Sequence, residues 1–217
     1  PHKPITGDLI EYYTHQLKKA GVQVRLNEEI SANSIEEMKP DVTIIATGSN
    51  PILPDVPGLE KHNNTVTAND ILSGRKDAGD IVTIIGGGSV ACDTAVFLAD
   101  KGKGVVMVEI LDSIAAESYV AERKAIGYRL ATNGVTVLIG VKQEEGTAKG
   151  LTIIDRYGRP CSIEADTIVI AAGATPNDEL TKLLKDKVQE LYSIGDCVKP
   201  RKIINAIADG ANISCQI

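Results

Sequence analysis

The chain has 217 residues, 43% of them apolar and 24% charged, an ordinary balance for a globular protein and enough length for one large or two small domains. Its formal net charge of −6 disfavours nonspecific nucleic-acid binding and gives no reason to expect an anionic membrane surface as partner. No apolar run reaches membrane-spanning length, no secretory signal is visible, and the four cysteines (Cys92, Cys161, Cys197, Cys215) form no C-x-x-C pair, so a metal site or local redox disulphide is not expected and a reducing cytoplasm is.

Residues 8–20 carry Leu9 or Ile10, Tyr13, Leu17 and Ala20 on one face, the spacing of an amphipathic helix that Gly21 stops. Val22 to Leu26 alternates apolar and polar residues, as a half-buried strand does. Ser34 to Met38 reads as a short turn or helical segment, and Val42 to Ala46 as a buried strand closed by Thr47-Gly48. Residues 49–58 hold Pro51, Pro54 and Pro57, a density that predicts a rigid extended connection without regular elements and a crossing between domains. Residues 66–73 resume order, with Thr67 or Asn69 placed as a helix cap, and Arg75 to Gly79 is a polar loop.

The organising stretch follows. The apolar run Ile81 to Ile85 ends in Gly86-Gly87-Gly88, and Val90, Thr94, Ala95 and Leu98 then recur at helical spacing up to a stop at Gly102. Gly86, Gly88 and Ala91 match G-x-G-x-x-G/A: Gly86 allows the tight turn, Gly88 lets backbone approach a pyrophosphate, and Ala91 lets the helix pack against the strand. The N–H groups at Ser89 and Val90 would face the phosphates. Val105 to Val108 is a second buried strand ending in Glu109, roughly 20 residues past the glycines, where an acid accepts hydrogen bonds from the adenosine ribose and repels a 2′-phosphate. NAD is therefore favoured over NADP, although an acid at a strand end can also be merely solvated.

Tyr119 to Thr132 reads as a helix ended by Gly134, and Val135 to Ile139 as a strand. Leu151 to Asp155 and Cys161 to Glu164 flank Arg156-Tyr157-Gly158-Arg159 as a hairpin. Thr167 to Ala171 is a buried strand closed by Ala172-Gly173. It echoes an earlier stretch: Asp41-Val-Thr-Ile-Ile-Ala-Thr-Gly-Ser-Asn-Pro and Asp166-Thr-Ile-Val-Ile-Ala-Ala-Gly-Ala-Thr-Pro align without a gap, an internal repeat unless two Val/Ile-rich strands coincide by chance. A helix over 178–184, the strand-like Leu191 to Ile194 running into Gly195-Asp196-Cys197, and helical spacing from Lys202 to Ile213 complete the chain. The chain opens on Pro1 and ends within a helical pattern, so a fragment of something longer is expected. His2, His15 and His62 read as solvated, and no catalytic residue is nominated.

Ala46-Thr47-Gly48-Ser49 with its proline-rich exit, the glycine turn, Ala172-Gly173 with Pro176-Asn177, and Ile194-Gly195-Asp196-Cys197 occur in order over nearly the whole chain. Together they resemble the two-dinucleotide-fold flavoprotein oxidoreductases. The run 195–202, Gly-Asp-Cys-Val-Lys-Pro-Arg-Lys, is most similar to the 2,4-dienoyl-CoA reductase, enoate reductase and trimethylamine dehydrogenase-like NADH:flavin oxidoreductases. The resemblance implies an α/β fold in which a Rossmann-like NAD(P)-binding domain (66–176) is inserted into a partial FAD-binding domain (1–65 and 177–217). It implies that Thr47, Gly48, Gly173, Gly195 and Asp196 serve the cofactors, with Thr47-Gly48 near the FAD phosphates and Asp196 on the FAD ribityl chain.

The family's first strand and glycine turn for FAD, its flavin-bearing barrel and its iron–sulphur cysteines have no counterpart in this sequence, and Asp93 stands where relatives usually carry Glu. The expected activity is hydride transfer between NAD(H) and FAD and onward to another acceptor, in partnership with the missing FMN/iron–sulphur or FAD-completing region. A non-catalytic adenine-nucleotide-binding module is the alternative. A thiol-disulphide reductase is disfavoured for want of a C-x-x-C pair.

Overall fold

The computed structural model describes residues 5–217. Helix α1 (Ile5–Lys19) has Asp8 in its first turn and Lys18 and Lys19 in its last, complementing the helix dipole. Gly21 ends it with φ +71°. Helix α2 (Ala32–Met38) is capped by the Ser31 side chain, which accepts from Ser34 N–H. Strands β1 (Thr43–Ile45), β2 (Ser49–Pro51) and β3 (Thr65–Thr67) follow, then α3 (Ala68–Leu72), closed by a reciprocal capping box between Thr67 and Asp70. The Thr67 and backbone hydrogen bonds, ahead of Arg75, hold the Asp70 carboxyl below its usual range.

The chain continues through β4 (Ile81–Ile85), α4 (Ser89–Ala99), β5 (Gly104–Glu109), α5 (Val120–Thr132) and β6 (Thr136–Ile139). Strands β7 (Lys142–Thr147), β8 (Gly150–Ile154) and β9 (Pro160–Glu164) come next, then β10 (Thr167–Ile170) and β11 (Ala174–Pro176). Helix α6 (Glu179–Leu184), β12 (Leu191–Ser193) and α7 (Ile203–Ser214) close the sequence.

The chain forms two compact units. The first runs from Pro51 to Gly173 and contains a five-stranded sheet of order β3-β10-β4-β5-β6, parallel throughout. One sheet face packs Val82, Ile84 and Met107 against Ala91, Ala95 and Leu98 of α4 and Leu130 of α5. The other face packs Ile85, Val108, Ile168 and Ile170 against Leu151 and Ile153 of the antiparallel sheet β7-β8-β9. Strands covered on both faces read as continuous apolar runs, and each fully buried side chain of this size stabilises by about 1.5–3 kcal/mol.

The second unit comprises 5–50 and Ala174–Ile217. Its parallel pair is β1 with β12, and its core is Ala32, Ile35, Ile45, Leu184 and Cys197. No helix among the described residues is long and apolar enough to cross a membrane.

Three local expectations are revised, and one strand is added that the sequence did not suggest. Val22 to Leu26 forms no strand: Val22, Val24 and Leu26 are exposed and no described strand pairs with them, and an alternating pattern without a partner gains no ladder hydrogen bonds. A short strand, β2, survives in the proline-rich connection because it pairs with β11, and Pro51 sits at its end, where a missing N–H is tolerated. Strand β7 was hidden by its polar sequence, Lys-Gln-Glu-Glu-Gly-Thr. His62 is not solvated: Nε2 donates to Ala165 O (2.9 Å), and Nδ1 accepts from Asn64 N–H (3.2 Å). His15 is exposed, and His2 lies outside the described residues.

Candidate functional site

In the first unit the chain reverses its path through the sheet at β4. It proceeds to β5 and β6 on one side, then returns through the antiparallel sheet to β10 on the other. The carboxyl ends of β4 and β10 therefore flank a topological switch point, where open α/β sheets receive ligands. The glycine turn lies there. Gly86 N–H donates to Val108 O (2.9 Å), and Ala171 N–H donates to Ile85 O (2.8 Å). Gly86 has φ +120°, and a Cβ on it would fall 2.3 Å from Ala171 O, so both backbone conformation and close approach require glycine.

The neighbouring glycines serve different ends. A Cβ on Gly87 would fall 2.8 Å from Glu109 Cγ and Oε2, so its missing side chain makes room for the acid. Gly88, the N-cap of α4, has φ −69° and ψ 177°, a conformation open to any residue, and makes no side-chain cap bond. Its Cβ would meet Glu117 Oε1 alone, at 3.7 Å. Gly88 thus borders the Glu117 carboxylate and no backbone.

Ser89 begins the helix, Val90 is half exposed, and Ala91 is fully buried against the sheet. Glu109 is 8% exposed, and its Oε1 accepts from Leu111 N–H at 2.7 Å. Cys92 is buried beneath the turn with Sγ 3.5 Å from Gly87 O. Burial, assisted by Glu117 and Asp93, pushes its thiol up to about 12, which leaves it inert as a nucleophile. Glu117 went unnoticed in the sequence. Its Oε1 accepts from Ser89 N–H (2.8 Å) and Ser89 Oγ–H (2.6 Å) across 28 residues, a contact that no local spacing signals.

Gly173, three residues past β10 in the first unit, has φ +103° and accepts from Ile52 N–H (3.0 Å). Its counterpart in the sequence echo is Gly48 of the second unit, with φ +73°, whose carbonyl accepts from Asn177 N–H (3.0 Å). Beside it, Thr47 Oγ1–H donates to Asn177 O (2.6 Å).

Gly195 (φ +67°) and Asp196 open a 3-10 turn, Gly195–Cys197, directly after β12. Gly195 N–H donates to Asp209 Oδ2 (3.0 Å), and Asp196 Oδ1 accepts from Arg201 N–H (3.1 Å). Arg201 and Asp209 form an ion pair. Thus Gly86 to Ala91, Glu109 and Gly173 belong to the first unit, and Thr47, Gly48, Gly195 and Asp196 to the second.

Residues 31–210 match the pyridine nucleotide-disulphide oxidoreductase family. An NADH oxidase of Thermoanaerobacter brockii is 36% identical over 206 residues, covering 93% of this chain and 32% of that protein. A cinnamate reductase of Clostridium sporogenes is 31% identical, covering 92% and 30% respectively. A solved structure of 2-naphthoyl-CoA reductase superposes with a TM-score of 0.93 at 33% identity, over 97% of this chain and 32% of that one. The chain spans about a third of the length of these relatives.

Proposed function

This chain belongs to the pyridine nucleotide-disulphide oxidoreductase family, and we propose that it is the dinucleotide-handling part of an NADH-dependent flavoprotein oxidoreductase. The observation that carries this reading is the glycine turn at the sheet's switch point, with no backbone within 4 Å of a Cβ at Gly88 and the Glu109 carboxylate one glycine away. The first unit, Pro51 to Gly173, takes in the expected NAD-binding span 66–176 except for 174–176. In it, Gly86 to Ala91 receive the pyrophosphate, Glu109 receives the adenosine ribose, and Gly173 lies at the facing strand end. The second unit supplies part of an FAD site through Thr47, Gly48, Gly195 and Asp196. The two cofactors supply the hydride chemistry, and the protein orients them and excludes water.

The relatives named as an NADH oxidase and a cinnamate reductase differ in acceptor while sharing this third of their length. That supports a role in the step common to both, with the acceptor chosen by the remaining two-thirds and its own cofactors. The free thiols of Cys92, Cys161, Cys197 and Cys215 support a cytoplasmic location.

The test is a visible absorption spectrum of the purified chain together with calorimetric titration of NADH into wild type and Gly88→Val. A Cβ at residue 88 meets no backbone and only Glu117 Oε1, at 3.7 Å; a thermal melt checks that the variant is folded, and its affinity is expected to fall by at least about tenfold as valine fills the pyrophosphate space. Equal affinities would remove the glycine turn from the site. A flavin band with NADH oxidation by an artificial acceptor extends the reading to turnover by this chain. A colourless chain that binds NADH restricts it to recognition.

A further inference from the structure

The segment after β5 docks on the glycine turn: Ala115 N–H donates to Gly87 O at 2.6 Å, and Ser118 N–H donates to Ala115 O at 2.9 Å. To dock, Ala115 adopts φ +45°, a left-handed conformation uncommon for a residue with a Cβ. Ser118 is 5% exposed, yet its Oγ has no hydrogen-bond partner, and neither has the buried Nε of Arg123. The left-handed Ala115 and the unpartnered buried groups make this segment costlier to hold than an ordinary loop. From this segment Glu117 seats its carboxylate on Ser89 N–H and Oγ at the start of α4, in the space that Gly88 leaves open.

We propose that Glu117 sets the affinity of this site for phosphate-bearing ligands: its carboxylate holds the helix end in the free chain and is displaced by an incoming pyrophosphate. This rests on the reading of the glycine turn given above. The physical reason is competition. The Ser89 N–H and the positive helix end favour one anion, and Glu117 supplies it intramolecularly. A dinucleotide gains only the difference between its own phosphate contacts and those Glu117 gives up, and its apparent affinity falls by the fraction of chain in which the carboxylate is withdrawn. The part of the ligand that carries no phosphate is indifferent to the exchange.

Calorimetric titrations of wild type, Glu117→Gln, Glu117→Ala and Gly88→Val with NADH, and with adenosine as a phosphate-free probe, test this, with thermal melts alongside. The two Glu117 variants are expected to bind NADH about tenfold more tightly, the loss of one charge-assisted contact by the competitor, and adenosine unchanged. A side chain that merely caps α4 would lower the melting temperature and leave NADH affinity unchanged or weaker, which overturns the proposal. A gain equal for NADH and adenosine overturns the phosphate assignment. Glu117→Gln keeps an oxygen to accept from Ser89 N–H, so it carries the test if Glu117→Ala does not fold. Failure of the underlying reading looks different: wild type and Gly88→Val would then bind NADH alike.

Discussion

The two copies of the echoed strand, β10 in the first unit and β1 in the second, start from nearly the same residues and reach different environments. Thr167 to Ile170 are all buried, flanked by β3 and β4 and covered on both faces. In β1, Ile45 is 4% exposed but Ile44 is 43% exposed, and β12 is the strand it pairs with. The same grammar thus yields a finished core in one unit and a half-covered one in the other. Burial of a parallel strand is conferred by its neighbours, not by its own sequence.

The glycines that follow the strands give the largest test of this contrast. Gly86→Ala should cost about 3 kcal/mol or more and disrupt the first unit, because its φ of +120° and the carbonyl 2.3 Å away both exclude a Cβ. Gly48→Ala, with φ +73° and nothing within 4 Å, should cost only about 1 kcal/mol. Urea melts of the two variants measure the difference, and equal losses would mean that Gly86 is not the tighter position.

Next in size is the strand interior. Ile168→Ala should destabilise by about 2–5 kcal/mol, as a fully buried residue leaves a cavity. Ile44→Ala should stay within about 1 kcal/mol. A third test separates the units by ligand. Glu109→Ala should narrow the NADH-over-NADPH preference by about tenfold through the lost ribose contact and repulsion while leaving flavin content as in wild type. A preference that does not move would take Glu109 out of the site.

The smallest effect is chemical. Iodoacetamide should modify the exposed Cys161 and Cys215 of the native chain and spare the buried Cys92 and Cys197. On adding urea, Cys197 of the sparser core should label before Cys92, and the reverse order would mean that the second unit's core is the more stable of the two. Because the Cys92 thiol is raised to about 12 when folded, its contribution to stability is intact below its ordinary value of about 8.5. That contribution should decline as pH rises from there toward 12, the window in which the unfolded thiol ionises first.

Most of the first unit was legible in the sequence. Ile81 to Ile85 and Thr167 to Ile170 are apolar at every position or nearly so, Thr67 was one of two candidate caps for α3, and the repeat placed Gly48 and Gly173 at equivalent strand ends. Periodicity and glycine placement are local properties, and they survive any packing consistent with them. What failed was whatever depended on a partner. Val22 to Leu26 has a strand's alternation and no strand to pair with, whereas β2 and the polar β7 became strands because a neighbour offered them a ladder.

The amino-acid sequence by itself determined the strand–turn–helix at 81–99, the acid at Glu109 and the repeat, because each is encoded within a few residues of chain. Tertiary structure alone decided that Gly87 is small for the sake of Glu109, that His62 is a buried pin against Ala165, and that Glu117 lies on the end of α4. Those contacts join residues 22, 103 and 28 positions apart. A hydrogen bond or steric fit over such separations exists only once the sheet has brought both ends of the loop together.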